Sequence, residues 1–316
     1  MYLSNAMSRG KLFYHILAFL VVAVWGVTFI STKVLIRSGL HPAQIFAIRF
    51  TLAYIGILAL QAFGKEKIKW WSGSVKDEAI FIFLGITGGS LYFLTENTAL
   101  AYTQACNVAF IVCVAPLLTI LLSLAYRRLF NDRFSAALER IGSGWPLTIG
   151  TALALTGMAL VTFDGNAVEF SVKGDLLALG AALCWGLYSI FMGHMTAGYG
   201  TMFATRKVFF YGLLTIIPVL FFQESEVDAR VLLEFPVWGN LLFLGLIASL
   251  ACFVVWNKVL SEIGNVTTTN YVYLNPFFTL VSAVLILGEK MTPLAAIGSA
   301  AIIAGVFIAE KKKNNI

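Results

Sequence analysis

Charge is what this chain of 316 residues lacks most: Asp, Glu, Lys and Arg make up 12% of it, about half the share found in a water-soluble domain. With 59% hydrophobic residues, a soluble fold could not cover its own surface. Histidine is scarce as well. His15, His41 and His194 form no ligand cluster and no HExxH occurs, so no metal site is expected. Four cysteines, Cys106, Cys113, Cys184 and Cys252, lie inside apolar runs without a CxxC pair, and they read as small reduced packing residues. There is no phosphate-binding glycine loop and no polar stretch long enough for a nucleotide-binding domain, which argues against transport driven by ATP on this chain. The net charge of +6 does not point to nucleic acid, because the cations sit mostly at the edges of apolar runs, where they mark topology. No cofactor, metal or enzyme activity is expected.

What the chain has is apolar length. Its mean hydropathy is +0.86, and a helix needs about 20 apolar residues to cross about 30 Å of hydrocarbon. Such runs fall at 13–36, 42–63, 79–101, 103–125, 146–163, 174–195, 201–222, 238–260, 264–287 and 293–310. The third and fourth are divided near Tyr102, because the joint run is twice one crossing. The first, Phe13 to Ile36, is too long for the apolar part of a secretion signal and has a counterpart later in the chain, so it reads as a retained span. Strands would show as short alternating segments, which are absent. The expected fold is all-α, a polytopic membrane protein with ten transmembrane helices.

If the chain starts in the cytoplasm, Arg9, Lys11, Lys65, Lys67, Lys69, Lys76, Arg127, Arg128, Arg133, Arg140, Lys258 and the run Lys311 to Lys313 fall inside. Lys33, Arg37, Lys173, Arg230 and Lys290 fall outside, with the acidic Glu224, Glu226, Asp228 and Glu234. This excess places both termini in the cytoplasm of a cell whose plasma membrane the protein crosses. Residues 127–145 carry Phe130, Phe134, Leu138 and Ile141 near helical spacing among arginines, which suits either a short helix on the cytoplasmic face or a plain basic loop.

The chain also repeats itself. One offset lays Trp25-Gly26 on Trp185-Gly186, Phe83-Leu84-Gly85 on Phe243-Leu244-Gly245, Asn97 on Asn257 and Pro116 on Pro276. A slightly smaller one lays Phe46-Ala47-Ile48-Arg49 on Phe203-Ala204-Thr205-Arg206, and a smaller one again lays Gly150 and Gly157 on Gly298 and Gly305. Asparagine and proline are rare inside spans, so their shared register is informative. Five spans in each half turn the second half over. The expected organisation is two inverted five-helix repeats, 12–163 and 174–310, an arrangement that allows alternating access.

Several of these segments resemble the EamA-type ten-helix permeases of the drug/metabolite transporter superfamily. They are Ala23-Val24-Trp25-Gly26-Val27-Thr28-Phe29, Phe46-Ala47-Ile48-Arg49-Phe50, Asn107 with Ala115-Pro116, and Leu287-Gly288-Glu289 followed by Gly298 and Gly305-Val306. The resemblance covers about residues 12–310. It implies two five-helix repeats, a central cavity and export or exchange of small metabolites. One departure stands out: Arg128-Leu129-Phe130 occupies the place of Gly288-Glu289-Lys290, so the first half lacks that acidic residue.

Charges within spans are costly and mark function. Arg49 and Glu96 fall at similar depth, and the expectation is that they pair across the outer cavity, with Glu96 carrying a coupling proton or Arg49 meeting an anionic group, unless the pair only fixes helix register. Arg206 mirrors Arg49 and is left open, while Lys207 and Lys258 read as snorkelling to headgroups. Pro116 and Pro276 remove a helix N–H, which frees the carbonyls of Val112 and Val272 and suits either a hinge or a static kink. Trp25, Tyr92, Asn97, Trp185, Tyr188, Asn270 and Asn275 complete the candidate cavity, with Tyr271 and Tyr273 as further aromatics; Asn97 and Asn257 also suit hydrogen bonds between helices. Trp70, Trp71, Trp145 and Trp238 fit interfacial belts. The small residues Gly150, Ala154, Ala301 and Gly305 permit close packing within one chain or self-association into a homo-oligomer.

The partners implied are a small-molecule substrate, the lipid bilayer and, through Glu96, protons. The function expected is a secondary transporter exporting small metabolites such as amino acids or amphipathic drugs. A sugar-phosphate or nucleotide-sugar exchanger would need more cavity cations than Arg49, Arg206 and Lys207, and a membrane receptor or enzyme would need groups that are absent.

Overall fold

Lipid cannot satisfy peptide N–H and C=O groups, so an apolar run in a membrane must bond to itself as a helix. The structure, a computed structural model, describes residues 2–64, 68–130, 145–162, 171–222, 230–287 and 293–310, and each apolar run within them is helical. The helices are α1 (Tyr2–Arg37), α2 (Pro42–Phe63), α3 (Val75–Tyr102), α4 in two pieces (Ala105–Val112 and Ala115–Leu129), α5 (Trp145–Thr162), α6 (Val172–Tyr199) and α7 (Thr201–Phe222). After a 3₁₀ turn at Val231–Leu233 come α8 (Phe235–Ile263), α9 (Asn265–Asn270, Tyr271–Leu274 and Asn275–Leu287) and α10 (Pro293–Glu310). No strand occurs among the described residues. Among the described residues, eight helices are long and apolar enough to cross a membrane. In α5 and α10, each 18 residues long, the apolar stretches narrow to Thr148–Leu160 and Ala296–Ile308.

The ends follow from local chemistry. Pro42 opens α2, where a missing N–H costs nothing, and the Gln44 Oε1 accepts from the His41 N–H at 3.0 Å. Ser74 and Ser171 cap α3 and α6 through their hydroxyls. Gly200 and Gly264, at φ of 84° and 91°, make the turns into α7 and α9, a backbone region that glycine enters without steric cost. The expected bounds of α2, α7 and α10 coincide with those observed. The expected α4 is broken at Cys113 and Val114, just before Pro116. The segment 131–144 lies outside the described residues, and with it most of the expected interfacial helix or basic loop.

Polarity is inverted relative to a soluble protein. Arg49 and Arg206 are 1% and 2% exposed, whereas Phe63 and Phe222 are 90% and 89% exposed. A surface of that kind is stable only in lipid, so the chain is a multi-pass membrane protein. Below, the near end is the one at which α1 begins and α2 joins α3; the far end is the opposite one.

The centre is built by α1 packing on α8 and α9, α6 on α3 and α4, and α2 on α7 and α8. Away from the centre α5 lies along α10. A Cβ on Gly157 would sit 2.5 Å from the Gly298 carbonyl oxygen, and one on Gly305 2.5 Å from the Ala154 nitrogen. The small-residue stripes therefore meet inside one chain. Two helices also widen into π-helical turns, Ile86–Ser90 in α3 and Phe243–Ala251 in α8.

Gly157→Leu is expected to force α5 from α10 at a cost of about 1–3 kcal/mol, read as a lower midpoint of thermal unfolding in detergent. At Gly198 an added Cβ meets nothing, so Gly198→Ala is expected to leave that midpoint unchanged or raise it.

Candidate functional site

A cavity lies where α1, α2, α3, α4, α6, α8 and α9 converge. The centre of a water molecule can reach about 30 Å³ of it, so it is a narrow cleft and not an open vestibule. From α1 it takes Trp25, Thr28 and Phe29, and from α2 Arg49. Tyr92, Phe93 and Glu96 come from one face of α3, and Trp185 from α6. Val112, Val272 and Asn275 come from the broken parts of α4 and α9, and Phe253 from α8.

The wall is aromatic. The rings of Trp25 and Trp185 meet edge to face with centroids 5.2 Å apart, and Tyr92 is 5.1 Å from Trp185. Trp25 is fixed by donating its indole N–H to the carbonyl of Ala248 at 3.0 Å. That carbonyl belongs to the π-helical turn of α8, where the wider winding frees backbone groups from the regular ladder.

Arg49 and Glu96 both line the cavity, yet among the described residues no nitrogen of one lies within 4.0 Å of an oxygen of the other. Each has a different partner. Arg49 Nε donates to Ser249 Oγ at 2.9 Å, and its guanidinium carbon stands 4.3 Å from the centroid of the Phe93 ring. The Tyr92 hydroxyl donates to Glu96 Oε1 at 2.7 Å. The expected direct pair is thus replaced by two opposite charges, each held by a neighbour. Ser249 was not among the expected residues, although a serine inside an apolar run was a readable signal. The Trp185 indole N–H and the Asn275 Oδ1 are buried without a hydrogen-bond partner among the described residues.

Other candidates fall elsewhere. Asn97 is buried and donates to the Pro42 carbonyl at 3.2 Å, which ties α3 to the start of α2. The Tyr188 hydroxyl donates to Asn257 Oδ1, and Asn257 Nδ2 donates to Thr205 Oγ1 at 2.8 Å. Asn270 is buried in the first piece of α9, outside the cavity lining. The carbonyl of Val272 is not left open by Pro276: it accepts from the Asn275 N–H in the 3₁₀ turn and from the Cys113 thiol at 3.1 Å. The two proline breaks therefore touch each other.

Lys207 does not snorkel. It is buried, and its ammonium lies 2.8 Å from Glu78 Oε1. The Tyr211 hydroxyl donates to the same carboxylate, and so does the Ser72 N–H, at 2.8 Å. Tyr199 donates to Asp77. Arg206, left open by sequence, donates to Gln61 Oε1 at 2.9 Å and to the carbonyl of Lys69, with Trp70 stacked 4.8 Å away. This network closes the near end by joining α2, α3, α6 and α7. Asp77 and Glu78 were missed because acidic residues at a span edge look like solvated turn residues. Lys258, by contrast, is exposed beside Glu262, as an interfacial lysine should be.

Comparison with known proteins agrees with this architecture. The model of the EamA-like transporter family matches residues 12–131 and 172–310. An uncharacterized transporter of Archaeoglobus fulgidus is 27% identical over 95% of this chain and 98% of its own. A probable terminal-alkyne amino-acid exporter of Streptantibioticus cattleyicolor is 24% identical over 93% of this chain and 92% of its own, and a probable amino-acid metabolite efflux pump of Escherichia coli is 24% identical over 93% of each. A crystal structure of 18% identity superposes with a TM-score of 0.70 over 94% of this chain and 97% of its own, a likeness of fold.

Lys207→Met leaves Glu78 buried without its cation and is expected to cost about 3–5 kcal/mol. The double variant Glu78→Gln with Lys207→Met is expected to recover a large part of that loss, in a double-mutant cycle read on thermal unfolding.

Proposed function

The chain belongs to the EamA-like transporter family, and from that premise we propose that it exports small amino-acid-like metabolites across the plasma membrane as a secondary transporter working by alternating access. That it moves small molecules follows from the family and from relatives named as transporters, an exporter and efflux pumps. The substrate class and the mechanism are the further step. The observation that carries it is the central cavity, where Arg49 and Glu96 stand among aromatic rings at membrane depth. Charges there are costly and serve a polar ligand or a proton.

Two inverted repeats, 12–163 and 174–310, supply the mechanics. Supporting this, repeat-related Trp25 and Trp185 meet at the cavity, the π-helical turns of α3 and α8 and the breaks of α4 and α9 fall at related positions, and the last helix of each half packs on the other. Pro116 and Pro276 act as hinges at the cavity wall, and Glu96 carries a coupling proton. Both termini face the cytoplasm, in line with the lysines and arginines of the connections, so the near-end network is the inner closure. A sugar-phosphate exchanger fits less well: of Arg49, Arg206 and Lys207, only Arg49 lines the cavity, and the others are bound in the network.

Proteoliposomes loaded with a panel of amino acids are expected to show counterflow of at least one; a protein that moves none of them is not such an exporter. With Glu96→Gln, any counterflow that remains is expected to have lost its pH dependence, and an unchanged pH profile removes the proton role. Pro116→Ala and Pro276→Ala are expected to lower turnover more than binding, since each supplies an N–H that can stiffen the broken helix at which hinging takes place. Equal losses in the two would leave only a static kink.

A further inference from the structure

Opposite charges that share a cavity of low dielectric attract strongly and collapse into a direct pair unless something holds them. Here both are held. Arg49 is anchored through Nε by Ser249, 2.9 Å away on the π-helical turn of α8, and its guanidinium plane rests on Phe93. Glu96 is anchored by Tyr92, one turn earlier on the same helix, at 2.7 Å. Tyr92 and Phe93 are consecutive, so α3 engages one charge with each of two adjacent side chains. Among the described residues these are the hydrogen bonds that Arg49 and Glu96 make, which leaves the guanidinium Nη groups and the second carboxylate oxygen without a hydrogen bond in two residues that line the cavity.

We propose that Ser249 and Tyr92 are positioning residues that keep Arg49 and Glu96 apart, so that the cavity presents a separated positive and negative end and selects ligands that carry both charges. This rests on the exporter reading and adds the recognition rule. The unpartnered buried groups fit the same ligand. A carboxylate between Arg49 and the Trp185 indole N–H would accept from both. An ammonium between Glu96 and Asn275 Oδ1 would donate to both. An uncharged body would lie against Trp25 and Phe253. A ligand with only one charge would leave the opposite protein charge buried and uncompensated, which is the strongest form of discrimination available to such a site.

The test uses three probes that share a phenyl ring: phenylalanine, phenethylamine and 3-phenylpropionate. Each is titrated calorimetrically against the purified full chain in detergent. The wild type is expected to bind phenylalanine at least about 10-fold more tightly than either singly charged probe, the worth of one hydrogen bond to a charged group. Ser249→Ala releases Arg49 to collapse on Glu96 and is expected to abolish that preference. Ser249→Thr, which keeps the hydroxyl, is expected to restore it, and Tyr92→Phe is expected to act like Ser249→Ala from the other side. A role confined to stability would change unfolding temperatures and leave the preference intact. The proposal is overturned if the wild type binds the three probes alike or binds none, or if folded Ser249→Ala or Tyr92→Phe retains the preference. Should Ser249→Ala not fold, Tyr92→Phe and Ser249→Thr decide. Counterflow of amino acids by the wild type is read separately, so an exporter without this selectivity is told apart from a protein that is no exporter.

Discussion

Hydrocarbon offers no hydrogen bonds, and the arrangement of this chain follows from that refusal. Each polar group that enters the membrane has to be answered by another part of the protein. The answers are distributed in two layers. Near the end where α2 joins α3, Glu78, Lys207, Tyr211, Arg206 and Gln61 satisfy one another and leave little for a ligand to do. In the middle, Arg49, Glu96, Trp185 and Asn275 are only partly satisfied. The first layer is a seam and the second is the binding site we propose. The difference between them is visible as the completeness of their hydrogen bonding.

The regular helix cannot build the second layer alone. Where the cavity forms, α3 and α8 widen and α4 and α9 break. Each departure redirects a backbone or side-chain group that a regular helix would keep to itself: the Ala248 carbonyl toward Trp25, the Val272 carbonyl toward Cys113. Deviations that cost local stability thus concentrate where several helices meet and can compensate them.

Much of this was legible in the sequence, and for physical reasons. The bounds of α2, α7 and α10 could be read because the thickness of the bilayer fixes how long an apolar run must be. Arg49 and Glu96 stood out because a charge inside such a run is rare. Partners were less legible. Sequence put Arg49 against Glu96, but the choice of Ser249 and Tyr92 depends on how α2, α3 and α8 are rotated, which local patterns do not encode. Lys207 looked interfacial because it is less than two turns from a helix end, and only the arrival of Glu78 from another helix makes it a buried residue. The π-helical turns left little trace, apart from Gly88 and Gly89, the second of which departs from helical angles.

A π-helical turn is an extra residue accommodated within a helix. Removing one residue between Phe243 and Ala251 would let α8 relax to regular winding while the residues beyond the excision keep their face, because the wide turn already holds the surplus residue. Trp256, Asn257 and Leu260, all buried, would stay in the bundle, and what would go is the displaced Ala248 carbonyl that holds the Trp25 indole.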